Sequence, residues 1–523
     1  MGGLSPPKLI NMRNFFLLFL LLLSISCSQE DVDIIDKEGS GTLTPQTYRP
    51  LFHFSVPNNW MNDPNGMFYL NGTYHLFYQY YPEGTQWGPM HWGHTTSEDL
   101  FNWKDKPIAL YPDEYGYIFS GSAVVDSHNT SGLKSNENDP IVAVYTNHQN
   151  ITGQQVQSIA YSNDNGETWV KYINNPVLPN QGIRDFRDPK VFWHDDSSAW
   201  IMSIAAGDHI QFYRSPNLID WELSSTFGKE KGAHGGVWEC PDLFQLELNG
   251  KNYWVLLVSI NPGGPNGGSS TQYFIGDFDG INFTTEQDEI LWLDEGVDNY
   301  AGVTWSNIPD SDGRKLFIGW MSNWDYAGGT PTSNWRGSMT LPRELTIRET
   351  SSGIRLFSSP VEELQQYLNR AQSNEPIFRE GVFEFTNNDI IRSGAYQLTF
   401  NVDLSIGTNL EIKLGNGLED LSINYDNSNK QFVIDRSRSG RVDFSPMFSK
   451  KIKCDYDAVN QTIPLKFIVD KSSIEIFINE GEKSMTALFF PKYEYSNLKI
   501  STDNTMNAVD NVLLTPIEQS VKR

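Results

Sequence analysis

The stretch TSEDLFNW at residues 96–103 is a polar turn that ends in an aromatic residue, and the chain repeats it. Further copies are YSNDNGETW at 161–169, RSPNLIDW at 214–221 and, more weakly, GDFDGINF at 276–283. Short alternating segments surround each copy, and FIGWM at 317–321 reads as one more strand. Hairpins repeated in this way are typical of β-propeller blades. The pattern predicts five blades over residues 48–345, closed by strands from both ends; a non-repeating sandwich with similar hairpins is the alternative.

A second β-domain is expected after the propeller. Turn residues at 351–353 and 358–360, followed by a short helical pattern at 361–368, predict a linker over residues 346–371. From about residue 382 the pattern has period two, as in YQLTFNV at 396–402 and SIEIFI at 473–478, which predicts an antiparallel sandwich domain over residues 372–523. The predicted fold class is therefore all-β, with a five-bladed β-propeller followed by a C-terminal β-sandwich.

The amino terminus has the pattern of a secretory signal over residues 1–27. Basic residues precede an apolar run at 15–23 that is too short to span a membrane as a helix. The run ends in SISC at 24–27, which resembles a bacterial lipobox. We expect Cys27 to become the lipidated first residue of the mature chain, with residues 28–47 as a flexible tether. The expected location is the bacterial cell surface or periplasm, and an ordinary cleaved signal is the alternative.

Composition narrows the classes of ligand. The 523 residues include 64 Asp and Glu against 39 Lys and Arg, a formal net charge of −25. This balance argues against nucleic acid and anionic membrane surfaces as partners. The 15 tryptophans would suit the flat faces of sugar rings where they are exposed. Cys27, Cys240 and Cys454 form no disulfide framework, and His91 and His94 lack a third ligand, so no metal site is expected.

Three carboxylates lie at the starts of apolar strands, close to a proline. They are Asp63 in NDP at 62–64, Asp188 in FRDP at 186–189 and Glu239 in WECP at 238–241. Each by itself reads as the acceptor of a turn or as a salt-bridge partner. In a propeller, however, the innermost strands of the blades begin at one end of a central channel. We therefore expect these three side chains to converge there.

The surroundings of these carboxylates suit the cleavage of a glycosidic bond, which needs one ionised and one protonated carboxyl group. Asp63 adjoins an amide side chain and turn donors, which fits the ionised group. Glu239 lies between an aromatic residue and a thiol, and this apolar setting predicts a raised pKa and a proton donor. Asp188 adjoins Arg187, which favours the charged carboxylate, so we expect Asp188 to bind sugar hydroxyls.

Four blocks of the chain resemble the signature sequences of the glycoside hydrolase family 32 fructosidases. The blocks are WMNDPNG at 60–66, FSGS at 119–122, FRDP at 186–189 and WECPD at 238–242. The resemblance runs from about residue 53 to 344, and it is specific because all four occur in the family's order. Further stretches, among them TQWGPMHWGH at 85–94 and GWMSNW at 319–324, are most similar to bacterial levanases and exo-inulinases.

The resemblance implies a role for each carboxylate. Asp63 would be the nucleophile, Glu239 the acid/base, and Asp188 a stabiliser of the transition state. The pocket would be lined by Asn62, Gln79, Trp87, Phe119, Ser120, Arg187 and Trp320. Such enzymes retain configuration and need no cofactor, so the carboxyl groups of Asp63 and Glu239 are expected about 5–5.5 Å apart.

The implied activity is release of terminal fructose from levan or inulin, and from sucrose. A sucrose-specific invertase and a fructosyltransferase are the enzymatic alternatives. A non-enzymatic glycan-binding protein is disfavoured because all three carboxylates are present. The expected partners are the fructan or sucrose substrate alone, with no nucleic acid and with membrane contact only through the lipid anchor at Cys27. We expect the sandwich to support the propeller, although glycan binding is an open alternative.

Overall fold

A computed structural model describes residues 34–35, 42–44, 46–379, 381–405, 407–457, 462–503 and 508–518. The predicted signal segment with Cys27, and most of the predicted tether, lie outside the described residues. Within them, Ile34–Ile35 pairs with Thr42–Leu43 ahead of the first large sheet. No helix in these ranges combines the length and the apolar character needed to cross a membrane.

Five antiparallel sheets follow one another along the chain, and we number them as blades 1 to 5. Blade 1 consists of Asn59–Leu70, Thr73–Tyr81, His91–Ser97 and Lys104–Leu110. Blade 2 consists of Tyr117–Val125, Ile141–His148, Gln155–Ser162 and Val170–Lys171. Blade 3 consists of Phe186–His194, Ala199–Ala206, Ile210–Ser215 and Glu222–Phe227. Blade 4 consists of Val237–Leu248, Lys251–Asn261 and Ser270–Phe278, with Phe283–Thr284 and Leu291–Trp292 at its outer edge. Blade 5 consists of Tyr300–Thr304, Lys315–Trp320, Arg343–Thr350 and Gly353–Pro360.

The first strands of the blades form a closed ring. Each contacts the first strand of the next blade, and the first strand of blade 5 contacts that of blade 1. The short strand Trp335–Arg336, which follows the second strand of blade 5, pairs in parallel with Asn59 and Trp60 of blade 1. Both ends of the propeller therefore share a sheet. The predicted five-bladed propeller is confirmed, and the non-repeating alternative is excluded.

The repeated turns join the third and fourth strands of blades 1 to 4. In three of them a side-chain oxygen accepts hydrogen bonds from the backbone N–H groups two and three residues ahead. These oxygens belong to Asp99, Asn217 and Asp279. An Asx side chain that satisfies the backbone in this way closes a tight turn locally. The same chemistry recurs because each blade needs the same connection at its outer edge.

Part of the predicted linker belongs to the propeller instead. Residues 346–360 complete the third strand of blade 5 and form its fourth, Gly353–Pro360, and the two pair along their length. The hydroxyl of Thr350 accepts from the N–H of Ser352, which closes the hairpin turn. A polar turn looks the same in sequence whether it joins paired strands or separate domains, and only the sheet pairing distinguishes them. A short 3-10 helix, Glu362–Tyr367, follows where the helical pattern was found.

The remaining chain forms two packed antiparallel sheets, so the predicted sandwich is also confirmed. One sheet contains Ile377–Arg379, Val382–Phe385, Leu410–Gly415, Asp420–Asp426, Gln431–Asp435, Ile452–Asp455 and Asn497–Thr502. The other contains Tyr396–Asp403, Thr462–Asp470, Ser473–Ile478, Lys483–Leu488 and Val509–Pro516. A short α-helix, Asp389–Ser393, precedes Tyr396–Asp403. Inward residues of both sheets, such as Ile412 and Leu465, share one apolar core.

The propeller and the sandwich are joined by a buried polar network. Arg343 of the propeller forms ion pairs with Asp294, at 3.0 Å, and with Glu475 of the sandwich. The imidazole of His53 contacts Glu475 and Asp470, each at 2.8 Å. All five side chains are buried. Because buried charges are costly unless paired, these contacts hold the two domains in one relative position.

Candidate active site

The first strand of every blade has a register irregularity near its beginning. The irregularities fall between Met61 and Pro64, Ile118 and Gly121, Arg187 and Lys190, Glu239 and Asp242, and Tyr300 and Val303. A β-bulge redirects side chains away from the regular alternation of a strand. The five bulges therefore turn polar side chains from five blades toward one end of the ring.

Three of these bulges contain a residue other than glycine in the left-handed region. The φ angles are +66° at Asp188, +45° at Cys240 and +54° at Ala301. Pro189 and Pro241 follow the first two and restrict the backbone further. Left-handed backbone costs an ordinary residue about 1–2 kcal/mol. Strain of this kind is found where structure is maintained for function, and here it falls at Asp188 itself, directly after Glu239 and directly after Tyr300.

The carboxylate of Asp63 is held by two donors. Its Oδ1 accepts from the side-chain amide of Asn62 at 3.0 Å, and its Oδ2 accepts from the Ser120 hydroxyl at 2.8 Å. Burial and the nearby charge of Glu239 raise the pKa of Asp63 to about 6, although both hydrogen bonds act to lower it. Asp63 is therefore mainly ionised at neutral pH, as expected. Its pKa nevertheless lies closer to neutral pH than the two hydrogen bonds alone would place it.

The carboxyl group of Glu239 has polar partners, so the predicted apolar setting was wrong. Its Oε1 accepts from Nε and Nη2 of Arg187, at 3.1 and 2.9 Å, and its Oε2 accepts from the Tyr300 hydroxyl. The adjacent Trp238 is buried and donates to a backbone carbonyl, and the Cys240 thiol lies beside other carboxylates. Sequence neighbours on a strand point to different sides, which is why they do not surround the carboxyl group.

Asp188 forms the predicted ion pair with Arg187 only at long range. The nearest approach, between Nε of Arg187 and Oδ2 of Asp188, is 3.9 Å. Oδ2 accepts instead from the backbone N–H of Cys240 at 3.1 Å. Burial, with the charges of Glu239 and Asp63, raises the pKa of Asp188 to about 7 against the opposing effect of Arg187. The expectation of a firmly charged Asp188 was therefore wrong.

The three carboxylates nonetheless converge from blades 1, 3 and 4. The Cys240 thiol lies 3.7 Å from Oδ2 of Asp63 and 3.5 Å from Oδ2 of Asp188. Arg187 connects the same cluster to Glu239. Asp63 and Cys240 are 177 residues apart in sequence, and Arg187 and Glu239 are 52 residues apart, so the ring of first strands brings these groups together.

Six of the seven predicted lining residues divide into three groups. Asn62 and Ser120 contact Asp63, and Arg187 contacts Glu239, as described above. Trp87 is 43% exposed and packs edge-on against Phe119, with ring centroids 6.1 Å apart, so this pair forms a rim. Gln79 is buried and donates to the side chain of Asn65 at 2.7 Å. It therefore supports the turn after Asp63 and does not touch a predicted catalytic carboxylate.

Trp320 does not face the opening, contrary to the prediction that it lines the pocket. It ends the second strand of blade 5, one strand away from the channel, and is fully buried. Its ring packs against Trp324 at 4.9 Å and Trp60 at 6.1 Å between centroids. Trp320 thus supports the site from behind, and the less buried Trp324 belongs to the same aromatic cluster.

Sequence reasoning assigned no role to Tyr300 or to the Cys240 thiol. Tyr300 occupies in blade 5 the position that Glu239 occupies in blade 4, the last paired residue before the bulge, and this equivalence was the available signal. His94 contacts the buried His75 at 3.1 Å, and His91 contacts a backbone carbonyl. In the part of the chain that the structure describes, no group of three or more His, Cys, Asp or Glu residues could hold a metal ion.

Comparison with known proteins identifies both domains. The model described as "Glycosyl hydrolases family 32 N-terminal domain" matches residues 53–360, and the one described as "Glycosyl hydrolases family 32 C terminal" matches residues 363–515. The boundary between them follows the last strand of blade 5, in agreement with the sheet pairing.

Similar proteins align over most of this length. A levanase from Bacillus subtilis (strain 168) is 44% identical over 515 residues, covering 96% of this chain and 74% of that protein. An extracellular exo-inulinase from Aspergillus niger is 40% identical over 492 residues, covering 85% and 90% respectively. The crystal structure of an exo-inulinase from Aspergillus awamori has a TM-score of 0.82 at 35% identity, covering 91% of this chain and 99% of that one.

Proposed function

The chain belongs to glycosyl hydrolase family 32, and on this premise we propose that it releases terminal fructose from β-fructans and from sucrose. The observation that carries the proposal is the meeting of Asp63, Asp188 and Glu239 at one end of the propeller ring. The similar levanase and exo-inulinase support a fructan as substrate. No cofactor takes part in the reaction.

The reaction proceeds in two displacements at the anomeric carbon of fructose. In the first, the Asp63 carboxylate attacks this carbon, the glycosidic bond breaks, and Glu239 gives its proton to the departing oxygen. In the second, Glu239 takes a proton from water, the water oxygen bonds to the same carbon, and the ester to Asp63 breaks. Two inversions retain the configuration, and the predicted carboxyl separation of about 5–5.5 Å belongs to this mechanism.

The surrounding groups orient these two carboxyls. Arg187 and Tyr300 each hold one oxygen of Glu239, which fixes the direction of proton transfer. Asn62 and Ser120 hold the two oxygens of Asp63. Asp188, buried beside both, accepts from fructose hydroxyls and stabilises positive charge at the ring in its ionised form.

The first test is Glu239→Ala. Loss of the acid/base should lower kcat/KM on sucrose by about 10²–10⁴-fold. Added azide should partly restore turnover of an aryl fructoside, because a good leaving group needs no proton in the first step. Glu247→Ala is the matched control, since Glu247 is exposed near the far end of the same strand. Full activity of Glu239→Ala on sucrose and fructans would overturn the assignment.

A product profile separates this function from the enzymatic alternatives. We expect fructose alone to accumulate from levan or inulin at early times, as exo action requires. Oligosaccharides as first products would indicate endo action, and activity confined to sucrose would indicate an invertase. At high sucrose concentration, free fructose should rise in step with glucose. A shortfall of fructose would indicate transfer to another sugar.

We also propose that the protein is secreted and held on the membrane by a lipid on Cys27. The support is the apolar run followed by SISC at residues 24–27, and one similar protein is described as extracellular. Wild-type protein should fractionate with membranes and Cys27→Ala should not. An unchanged distribution of Cys27→Ala would exclude lipidation at this residue and leave an ordinary cleaved signal.

A further inference from the structure

A chain of polar contacts leads from blade 2 to the acid/base. His148 ends the second strand of blade 2, and Gln155 begins the third strand directly opposite. The Gln155 side-chain nitrogen lies 3.3 Å from Nδ1 of His148. Its oxygen accepts from Nη1 of Arg187, also at 3.3 Å. Arg187 in turn donates two hydrogen bonds to Glu239.

The charge of Arg187 determines which groups donate and which accept in this series of hydrogen bonds. A guanidinium has only donors, so it requires the carbonyl oxygen of Gln155 and leaves the amide N–H groups for His148. Nδ1 of His148 must then be an unprotonated acceptor. Burial, and next the charge of Arg187, lower the pKa of His148 against the opposing effect of Asp185. The neutral imidazole that the geometry requires is therefore also the favoured form.

The guanidinium of Arg187 is held on one side by Glu239 and at Nη1 by two acceptors, of which Gln155 is one. Besides Glu239 and Gln155, its guanidinium donates to Asp185 at 2.8 Å. With Gln155 misplaced, Asp185 would hold Nη1 alone, and the guanidinium could rotate away from Glu239. A displacement of this kind matters because proton transfer requires the acid within hydrogen-bond reach of the departing oxygen.

We propose that Gln155 and His148 are positioning residues for the reaction, acting through Arg187 to orient the acid/base Glu239. Neither residue touches a carboxylate of the site, and neither belongs to the sequence blocks that marked the site. This inference rests on the proposed fructosidase function. It adds blade 2 to the blades that determine how the leaving group receives its proton.

His148 has a second contact that any test must separate from the first. Its ring stacks on Phe119 with centroids 4.4 Å apart and an interplanar angle of 1°. Phe119 also supports the exposed Trp87 at the rim. A variant that removes the whole ring would disturb this wall of the site as well as the hydrogen bond to Gln155.

Two matched variants of His148 separate the stacking contact from the hydrogen bond. His148→Phe keeps a ring for stacking on Phe119 but has no acceptor for Gln155. His148→Asn places an amide oxygen near the Nδ1 position and loses the ring. Gln155→Leu removes the link itself at similar volume. Thermal unfolding of each variant, measured alongside, identifies any that fail to fold.

The assay compares kcat/KM on sucrose with kcat/KM on an aryl fructoside, whose leaving group departs without protonation. We expect His148→Phe and Gln155→Leu to lose about tenfold on sucrose and no more than about twofold on the aryl fructoside. His148→Asn should recover most of the loss on sucrose. Equal losses on both substrates, or unchanged sucrose hydrolysis in Gln155→Leu, would overturn the inference. A wild-type protein that cleaves neither substrate would instead refute the proposed function.

Discussion

At the scale of single residues, the state of Asp63 depends on a balance of opposing effects. Burial and the charge of Glu239 favour the protonated form, and hydrogen bonds from Asn62 and Ser120 favour the ionised form. An attacking carboxylate must be ionised, so the two donors extend its working range toward acid. Ser120 lies on blade 2, which means that a neighbouring blade contributes to the protonation state of the proposed nucleophile.

Ser120→Ala tests this balance. Loss of a donor to the ionised form raises the pKa of Asp63 above about 6. A hydrogen bond to a charged group contributes about 1.5–3 kcal/mol, and one pH unit corresponds to about 1.4 kcal/mol. The acidic limb of kcat/KM against pH should therefore move upward by about one to two units. Ser127→Ala, at an exposed position just after the same strand, should leave the limb in place. A limb that does not move in Ser120→Ala contradicts the assigned role.

Two single residues, Arg187 and Trp320, show why the sequence predicts some side-chain contacts wrongly. The sequence pairs Arg187 with the adjacent Asp188, yet its guanidinium donates to Asp185 and to Glu239, which is 52 residues away. Trp320 was placed in the pocket because it belongs to a recognisable block, yet it is one strand removed from the channel. In both cases the direction of a side chain depends on bulges and strand order, which adjacency in sequence does not reveal.

At the scale of elements, the start of each blade's first strand positions the polar side chains of the site. The turn after Asp63 is an example, because Gly66 has a φ of +52° and a side chain there would meet the Trp92 ring at 2.5 Å. Only glycine lets the strand pass this ring and return to its register with the second strand of blade 1. Local backbone chemistry thus controls the angle at which Asp63 enters the site.

Gly66→Ala should therefore lower the stability of the protein more than Gly72→Ala does. Gly72 has a φ of +83° and open space around its Cβ position, so Gly72→Ala adds only the backbone cost, about 1–2 kcal/mol. Gly66→Ala adds overpacking against Trp92, about 1–3 kcal/mol more. Urea unfolding midpoints should rank wild type above Gly72→Ala above Gly66→Ala, and only the last should lower kcat/KM on sucrose. Equal effects of the two substitutions would refute the proposed constraint.

At the scale of the whole molecule, the buried network between the domains gives the sandwich a supporting role. Leu341 of the propeller also donates its backbone N–H to Glu475, so the network includes backbone as well as side chains. Its strength depends on the charge of His53. Burial lowers the pKa of His53, but hydrogen bonds to Asp470 and Glu475 outweigh burial and raise it to about 9.

This raised pKa predicts a loss of stability in alkali. The unfolded-state pKa of histidine is about 6.5, so the stabilising contribution is fully present below that pH and is lost as pH rises through about 9. The expected loss is about 3 kcal/mol, measured as the difference in free energy of unfolding between pH 6 and pH 10.

His53→Gln should reduce this pH dependence, whereas His128→Gln, at an exposed position, should preserve it. A pH profile for His53→Gln that matches the wild type would show that another group is responsible.

The repeat and the period-two pattern were sufficient to predict the propeller and the sandwich, because turns and strand faces are encoded by residues close in sequence. In the repeated turns, an Asx side-chain oxygen accepts from a backbone N–H only two residues further along the chain. The alternation of side chains along a strand is equally local. The family blocks similarly marked the three carboxylates. The domain boundary lies later than the sequence predicted. Residues 346–360 carry the signals of a connection, yet they pair with each other as a hairpin, which joins the second strand of blade 5 through residues 343–345.

The sequence by itself determined the all-β fold class, the five blades, the sandwich and the identity of the carboxylates, because each depends on local turn chemistry or on a contiguous block. Only the tertiary structure decided the pairing of Arg187 with Glu239, the contact of Tyr300 with the same group, the burial of Trp320 and the raised pKa of Asp188. Those properties arise where five strand ends meet. Distances and desolvation at such a meeting point depend on all five blades at once, which no single stretch of sequence contains.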